Sequence, residues 1–234
     1  MSYDLNGNLL RGGFVYDEFD QLVQTKDDYY LYDALGRRIQ SNDTSYFYTG
    51  DEEIGSFEKG KIKELKILGS GSSIAIEIEG KPYAATIDVQ NTIRQLIDWK
   101  TGEAAFKNTC DAFGNGITDE IPYAYVGKRY DTSTGLLYFG KRYYNPNLGR
   151  WLTQDPLGPV DHSNLYQYVY NNPYRFQDPT GENVLGFLCG IGQIVLGGAI
   201  MASGAVLEVY CGALSFFVFH RAQINIFSKT CWFS

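Results

Sequence analysis

Apolar and polar positions alternate along Ser73-Ile74-Ala75-Ile76-Glu77-Ile78-Glu79, and Tyr83-Ala84-Ala85-Thr86-Ile87-Asp88-Val89 follows after Gly80-Lys81-Pro82. A period of two sends one set of side chains to a packed face and the other to water, so these stretches predict a β-hairpin. A shorter signal recurs upstream. Tyr3-Asp4-Leu5-Asn6-Gly7-Asn8-Leu9 returns as Tyr16-Asp17-Glu18-Phe19-Asp20-Gln21-Leu22 and as Tyr32-Asp33-Ala34-Leu35-Gly36-Arg37-Arg38; Asp111-Ala112-Phe113-Gly114-Asn115 is a fourth copy without its tyrosine. Each copy places a turn former, glycine or aspartate, where positive φ is tolerated, and the tyrosine suits a pleated face. One such hairpin cannot bury its apolar side alone, so neighbouring units must stack into a continuous sheet.

Composition agrees with a β-rich body. Tyrosine (19), phenylalanine (14) and glycine (26) are abundant and proline is scarce (7), which favours many short strands joined by glycine turns. The 234 residues allow one sizeable core or two modest ones. Of the net charge of -7, residues 183–234 contribute only Glu208 against Arg221 and Lys229, so the acidity lies in the body. An acidic body without a lysine or arginine run argues against capture of nucleic acid. The cysteines at 110, 189, 211 and 231 form no C-x-x-C pair, and no histidines stand at ligand spacing, so neither a metal site nor a cofactor is expected. Gly69-Ser70-Gly71-Ser72-Ser73 lacks the lysine and third glycine of a phosphate loop and reads as a hairpin loop. The opening Met1-Ser2-Tyr3-Asp4 has no basic flank or apolar stretch of a secretory leader.

From Tyr130 to Gly181 the motifs crowd together: Tyr130-Asp131, Thr134-Gly135-Leu136-Leu137-Tyr138, Arg142-Tyr143-Tyr144-Asn145-Pro146, Gly149-Arg150-Trp151-Leu152, Asp155-Pro156-Leu157-Gly158, Asn164-Leu165-Tyr166-Gln167-Tyr168, Asn171-Asn172-Pro173 and Asp178-Pro179-Thr180-Gly181. This segment resembles the Rhs repeat-associated core domain, which follows tyrosine-aspartate (YD) repeats in bacterial polymorphic toxins and insecticidal toxin-complex components and has relatives in teneurins. The resemblance covers roughly residues 1–181 and is strongest after Gly127. It implies a mainly β fold, a fragment of a YD-repeat shell made of stacked antiparallel hairpins. Three segments are expected: a hairpin strip over 1–126, the core over 127–181, and a variable apolar tail over 182–234.

The resemblance also implies a self-cutting core with an aspartic-protease-like site. Carried over by position, its residues are Arg142, Asp155 and Asp178, and the cut is expected at or just after Gly181-Glu182. Paired carboxylates suit this chemistry, because two held close cannot both ionise: one keeps a proton and the other activates water. An arginine nearby would hold one carboxylate charged or orient the scissile carbonyl, and only guanidinium offers a rigid bidentate fork for this. Three positions depart from the pattern: Glu182 replaces the usual leucine, Pro159 follows the first D-P-x-G, and Asn145 stands where aspartate is common. The opposing expectation is that each Asp-Pro-x-Gly is an ordinary turn whose aspartate accepts its own chain's amides. Facing carboxylates and separate turn caps would distinguish the two. Tyrosines 143, 144, 166, 168 and 170 read as packing residues rather than as a sugar-binding ladder.

Val184 to Leu207 contains no charged residue, and Val209 to Phe219 is apolar after Glu208. That length suits a membrane-spanning helix, and glycines at 186, 190, 192, 197, 198 and 204 allow close helix approach. A glycine-rich helical hairpin enclosed in a shell is the competing expectation. Two functions follow: a toxin-delivery component whose core frees a membrane-active segment at 184–219, or a non-enzymatic surface or adhesion module anchored by that segment. Either is expected to be secreted or at the cell surface. Because the chain opens inside a repeat, the remaining shell, as upstream repeats or a partner chain, is the expected partner.

Overall fold

A computed structural model of the chain describes residues 2–69, 73–159, 163–182 and 184–186, with the strand residues 206–207 and 218–219. The described part is mainly β, with one short 3-10 turn at Val169–Asn171. Two hairpins open it: β1 (Ser2–Tyr3) with β2 (Leu9–Leu10), and β3 (Val15–Tyr16) with β4 (Leu22–Gln24). A nine-stranded antiparallel meander follows, each strand paired with the next: β5 (Tyr30–Tyr32), β6 (Arg38–Ser41), β7 (Thr44–Thr49), β8 (Glu52–Glu58), β9 (Lys61–Leu68), β10 (Ser73–Ile78), β11 (Lys81–Ile87), β12 (Ile93–Asp98) and β13 (Ala104–Lys107). A four-stranded sheet completes this unit: β14 (Arg129–Asp131), β15 (Leu136–Tyr138), β16 (Tyr143–Asn145) and β17 (Arg150–Trp151).

One local device builds the repeats. Asp4, Asp17, Asp33 and Asp111 each use Oδ1 to accept the amides two and four residues on, at 2.8–3.0 Å. The third residue past each aspartate has positive φ: Gly7, Asp20, Gly36 and Gly114. The carboxylate thus stands in for a backbone acceptor and closes the turn. Asp88 does the same to Gln90 and Thr92 at 2.9 and 3.0 Å, with Asn91 at φ 64°. This fifth copy escapes the sequence pattern because Ile87 replaces tyrosine and asparagine replaces glycine.

The expected hairpin is β10 with β11, in register from Ala75↔Ala84 to Ile78↔Lys81. Ile76 is fully buried, but a bulge between Ser73 and Ala75 breaks the alternation and leaves Ile74 exposed. Ile76, Ile93, Leu96, Ile121, Tyr123 and Ala124 form one core beneath the meander. Leu9, Leu22, Tyr30, Leu136, Tyr138, Tyr143 and Leu152 form another, joining the opening hairpins to the four-stranded sheet. The Leu9 amide donates to Leu152 O at 2.9 Å, and Tyr166 Oη donates to Gly7 O at 2.6 Å.

Two buried arginines tie the meander to the residues that follow it. Arg38 of β6 grips Asp131 of β14 with both terminal nitrogens and lies on the rings of Tyr138 and Tyr46 at 4.6 and 4.7 Å. Arg129 pairs with Glu53 and, at 3.3 Å, with Glu64, and the Tyr123 hydroxyl accepts from it at 2.6 Å.

The chain's second compact unit comprises residues 175–177 and 185–234. Here β18 (Phe176–Gln177) pairs with β19 (Leu185–Gly186), and β20 (Val206–Leu207) with β21 (Val218–Phe219). The rest of the expected helical tail lies outside the described residues. Among the described residues no helix is long and apolar enough to cross a membrane.

Candidate functional site

Arg142 immediately precedes β16, after the tight connection Phe139-Gly140-Lys141 that leaves β15. It is 3 % exposed, and each of its side-chain nitrogens has an acceptor. Nε donates to Gly181 O, Nη1 to Leu165 O at 3.4 Å, and Nη2 to Asp178 Oδ2 at 3.3 Å. Nη2 also pairs with Asp155 Oδ2 at 2.8 Å. Burial pushes the guanidinium below its usual pKa, and Asp155 and then Asp178 push back. Both carboxylates therefore meet the same buried guanidinium nitrogen, Nη2.

The aspartates do two things at once. Asp178 Oδ1 accepts the amides of Thr180, Gly181 and Glu182 at 3.3, 2.7 and 3.1 Å. Asp155 Oδ1 accepts the Leu157 amide at 3.0 Å, and Gly158 N donates to Asp155 O at 2.9 Å. Gly158 and Gly181 both have positive φ, as in the YD repeats. Both Asp-Pro-x-Gly turns thus share the repeat's i+2 amide on Oδ1 and left-handed glycine; Asp178 also takes the i+4 amide, which Pro159 cannot offer Asp155, and in each the other oxygen turns to Arg142. Each aspartate is thus a turn cap that also reaches Arg142.

The segment that carries Gly181 is held along its backbone. Lys141 N donates to Thr180 O at 3.0 Å, beside the Arg142 contact with the next carbonyl. A Cβ on Gly181 would come within 3.1 Å of Arg142 N and 3.4 Å of Phe139 Cβ, and the residue has φ +83°. Only glycine fits both the left-handed turn and the close approach. Glu182 is half-buried and joins the site through its amide. Asn145 lies elsewhere: its Oδ1 accepts the Leu148 amide at 3.2 Å and shapes the turn into β17. Pro159 is exposed.

Sequence reasoning missed Lys141, whose contribution is a main-chain amide and so leaves no side-chain signal. It also missed Trp151 behind Arg142, although the reading of Tyr143, Tyr144 and Tyr168 as packing residues agrees with their burial. Tyr144 and Tyr168 are fully buried, with ring centroids 4.4 Å apart, and both pack edge-on against Trp151. Tyr143 is buried as well, while Tyr166 lies under the Arg150 guanidinium at 4.7 Å.

Residues 59–180, just over half of the chain, match the family described as Teneurin YD-shell. The chain belongs to the Rhs/YD-shell family. Within that family it is similar to the tRNA3(Ser)-specific nuclease WapA of Bacillus spizizenii, at 33% identity over 211 residues, covering 78% of this chain and 9% of the relative. Toxin subunit YenC2 of Yersinia entomophaga is 55% identical over 64 residues, covering 27% of this chain and 6% of the relative. Among solved structures, a crystal structure of TcdB2-TccC3-Cdc42 shares the fold with a TM-score of 0.61 and 22% identity, covering 77% of this chain and 11% of that one. This YD-shell chain therefore spans about a tenth or less of the length of these three.

Proposed function

We propose that this chain is the C-terminal end of an Rhs-type toxin-delivery shell, whose core cuts its own backbone at or just after Gly181-Glu182 and so separates the apolar segment beyond it. The functional segments are the hairpin strip 1–126, the core 127–181 and the tail 182–234. The observation that supports this reading best is the convergence on Arg142 of Asp155, Asp178 and the Gly181 carbonyl. Arg142 polarises that carbonyl. One carboxylate takes a proton from water as its oxygen attacks the carbonyl carbon, and the other, carrying its proton, gives it to the departing amide nitrogen. The peptide C–N bond breaks, and one water is consumed. The Glu182 amide donates to Asp178 at 3.1 Å, which supports a role for Asp178 on the leaving-group side.

The released segment, apolar over 184–219, would act at a membrane, and the remaining shell, supplied by further repeats or a partner chain, would complete the enclosure. Secretion or surface display fits such a role. The test is the intact mass of the expressed chain. A product ending at or near Gly181, lost in Asp155→Asn and in Asp178→Asn, supports the proposal. A chain that stays whole and partitions with membranes would favour the non-enzymatic anchored module instead.

A further inference from the structure

All N–H bonds of a guanidinium lie in one plane, so hydrogen bonds engage its edge and only packing can fix its faces. The edge of Arg142 meets Gly181 O, Leu165 O and the two aspartates. Its central carbon lies over the Trp151 indole, 4.3 Å from the ring centroid. That indole is immobilised. The residue is 2 % exposed, its ring meets Phe139 edge-on at 5.0 Å (interplanar 85°) and Tyr168 at 5.4 Å, and its main-chain amide, donating to Tyr166 O at 3.0 Å, anchors the backbone that carries the ring. The contacts of Arg142 to Leu165 and Asp178 are long, at 3.4 and 3.3 Å, and tolerate a tilted plane; a flat ring against the guanidinium does not.

We infer that Trp151 is a positioning residue for the self-cleavage proposed above: by stacking on Arg142 it sets the plane in which Asp155, Asp178 and the Gly181 carbonyl meet. The role rests on that reading, and it concerns geometry alone, since Trp151 touches no reacting atom. The stack needs a flat face rather than bulk. Phenylalanine keeps one; leucine and methionine do not.

Two readouts on the full chain separate this from simple packing. The first is the rate of self-cleavage after refolding, followed by mass. Trp151→Phe should stay within about threefold of the parent, and Trp151→Leu should slow cleavage by about tenfold or more, as small misplacements of a reacting group do. The second is hydrogen exchange of the Arg142 Nε–H by NMR, which should quicken about tenfold or more in Trp151→Leu while the Ile76 and Leu137 amides stay protected. If Trp151→Leu also loses those amides, Trp151→Met, which fills the space without a flat face, decides in its place. Methionine behaving like phenylalanine in both readouts would overturn the inference, as would unchanged Nε–H exchange in a folded variant. A parent chain that never cleaves would remove the self-cleavage reading, and the exchange measurement would still decide whether Trp151 orients Arg142.

Discussion

At the residue scale, Gly181 carries the sharpest demand. Its left-handed backbone and the approach of Arg142 N leave no room for a side chain. Gly181→Ala should cost about 1–2 kcal/mol from backbone strain alone and should displace the carbonyl from Arg142. Urea denaturation with a parallel mass assay checks both, and an alanine variant that is as stable and as fast as the parent would contradict the described turn. Local signals of this kind are the ones a sequence displays. The Asp-Pro-x-Gly motifs announce themselves because aspartate, turn former and capped amides lie within five positions. Trp151 and the Lys141 amide do not, since their partners lie far along the chain and neither residue type is diagnostic.

At the element scale, the β10–β11 hairpin is legible from alternation, whereas β7, β8 and β9 are not. Glu53, Ser56, Glu64 and Lys66 on β8 and β9 are buried, so the packed side lacks the apolar period that marks a strand. Ion pairs replace it. Glu52 lies between Lys128 at 3.1 Å and buried Lys66. Burial raises its pKa, but Lys128 and then Lys66 outweigh that and hold the carboxyl below the usual glutamate value. The folded state then binds this proton less readily than the unfolded chain. Its contribution is present above the unfolded glutamate pKa and is lost as pH falls through that value toward the depressed folded one. Glu52→Gln should therefore flatten the acid limb of a stability-versus-pH curve, measured by denaturant midpoint from pH 7 downward. An unchanged acid limb would mean that the two lysines find other partners.

For unit 1, residues 1–174 with 178–184, the question is what fastens a meander to the sheet that follows it. Apolar packing does part of this, and Arg38 does another part from a fully buried position. Arg38→Met keeps the bulk and leaves Asp131 without its partner, a loss of about 3–5 kcal/mol for a buried ion pair broken on one side. Thermal or urea unfolding reads it. If the methionine variant is as stable as the parent, the tyrosines around Arg38 suffice without the charge. The mainly β fold and its stacked hairpins follow from the repeat and from the glycine-tyrosine composition. The number of strands does not, because it depends on charged residues that face inward.

The kinship between the YD turn and both Asp-Pro-x-Gly turns bears on ancestry. An array that already owns many such carboxylates, whose second oxygen takes a side-chain partner at Asp4, Asp33 and Asp88, needs only to turn a pair of them toward one sheltered arginine to assemble the site proposed above. Neither a fresh loop nor a separate catalytic domain has to be recruited. Scissile machinery of this kind would emerge from the scaffold's most ordinary part, and losing the arginine would return it to plain architecture.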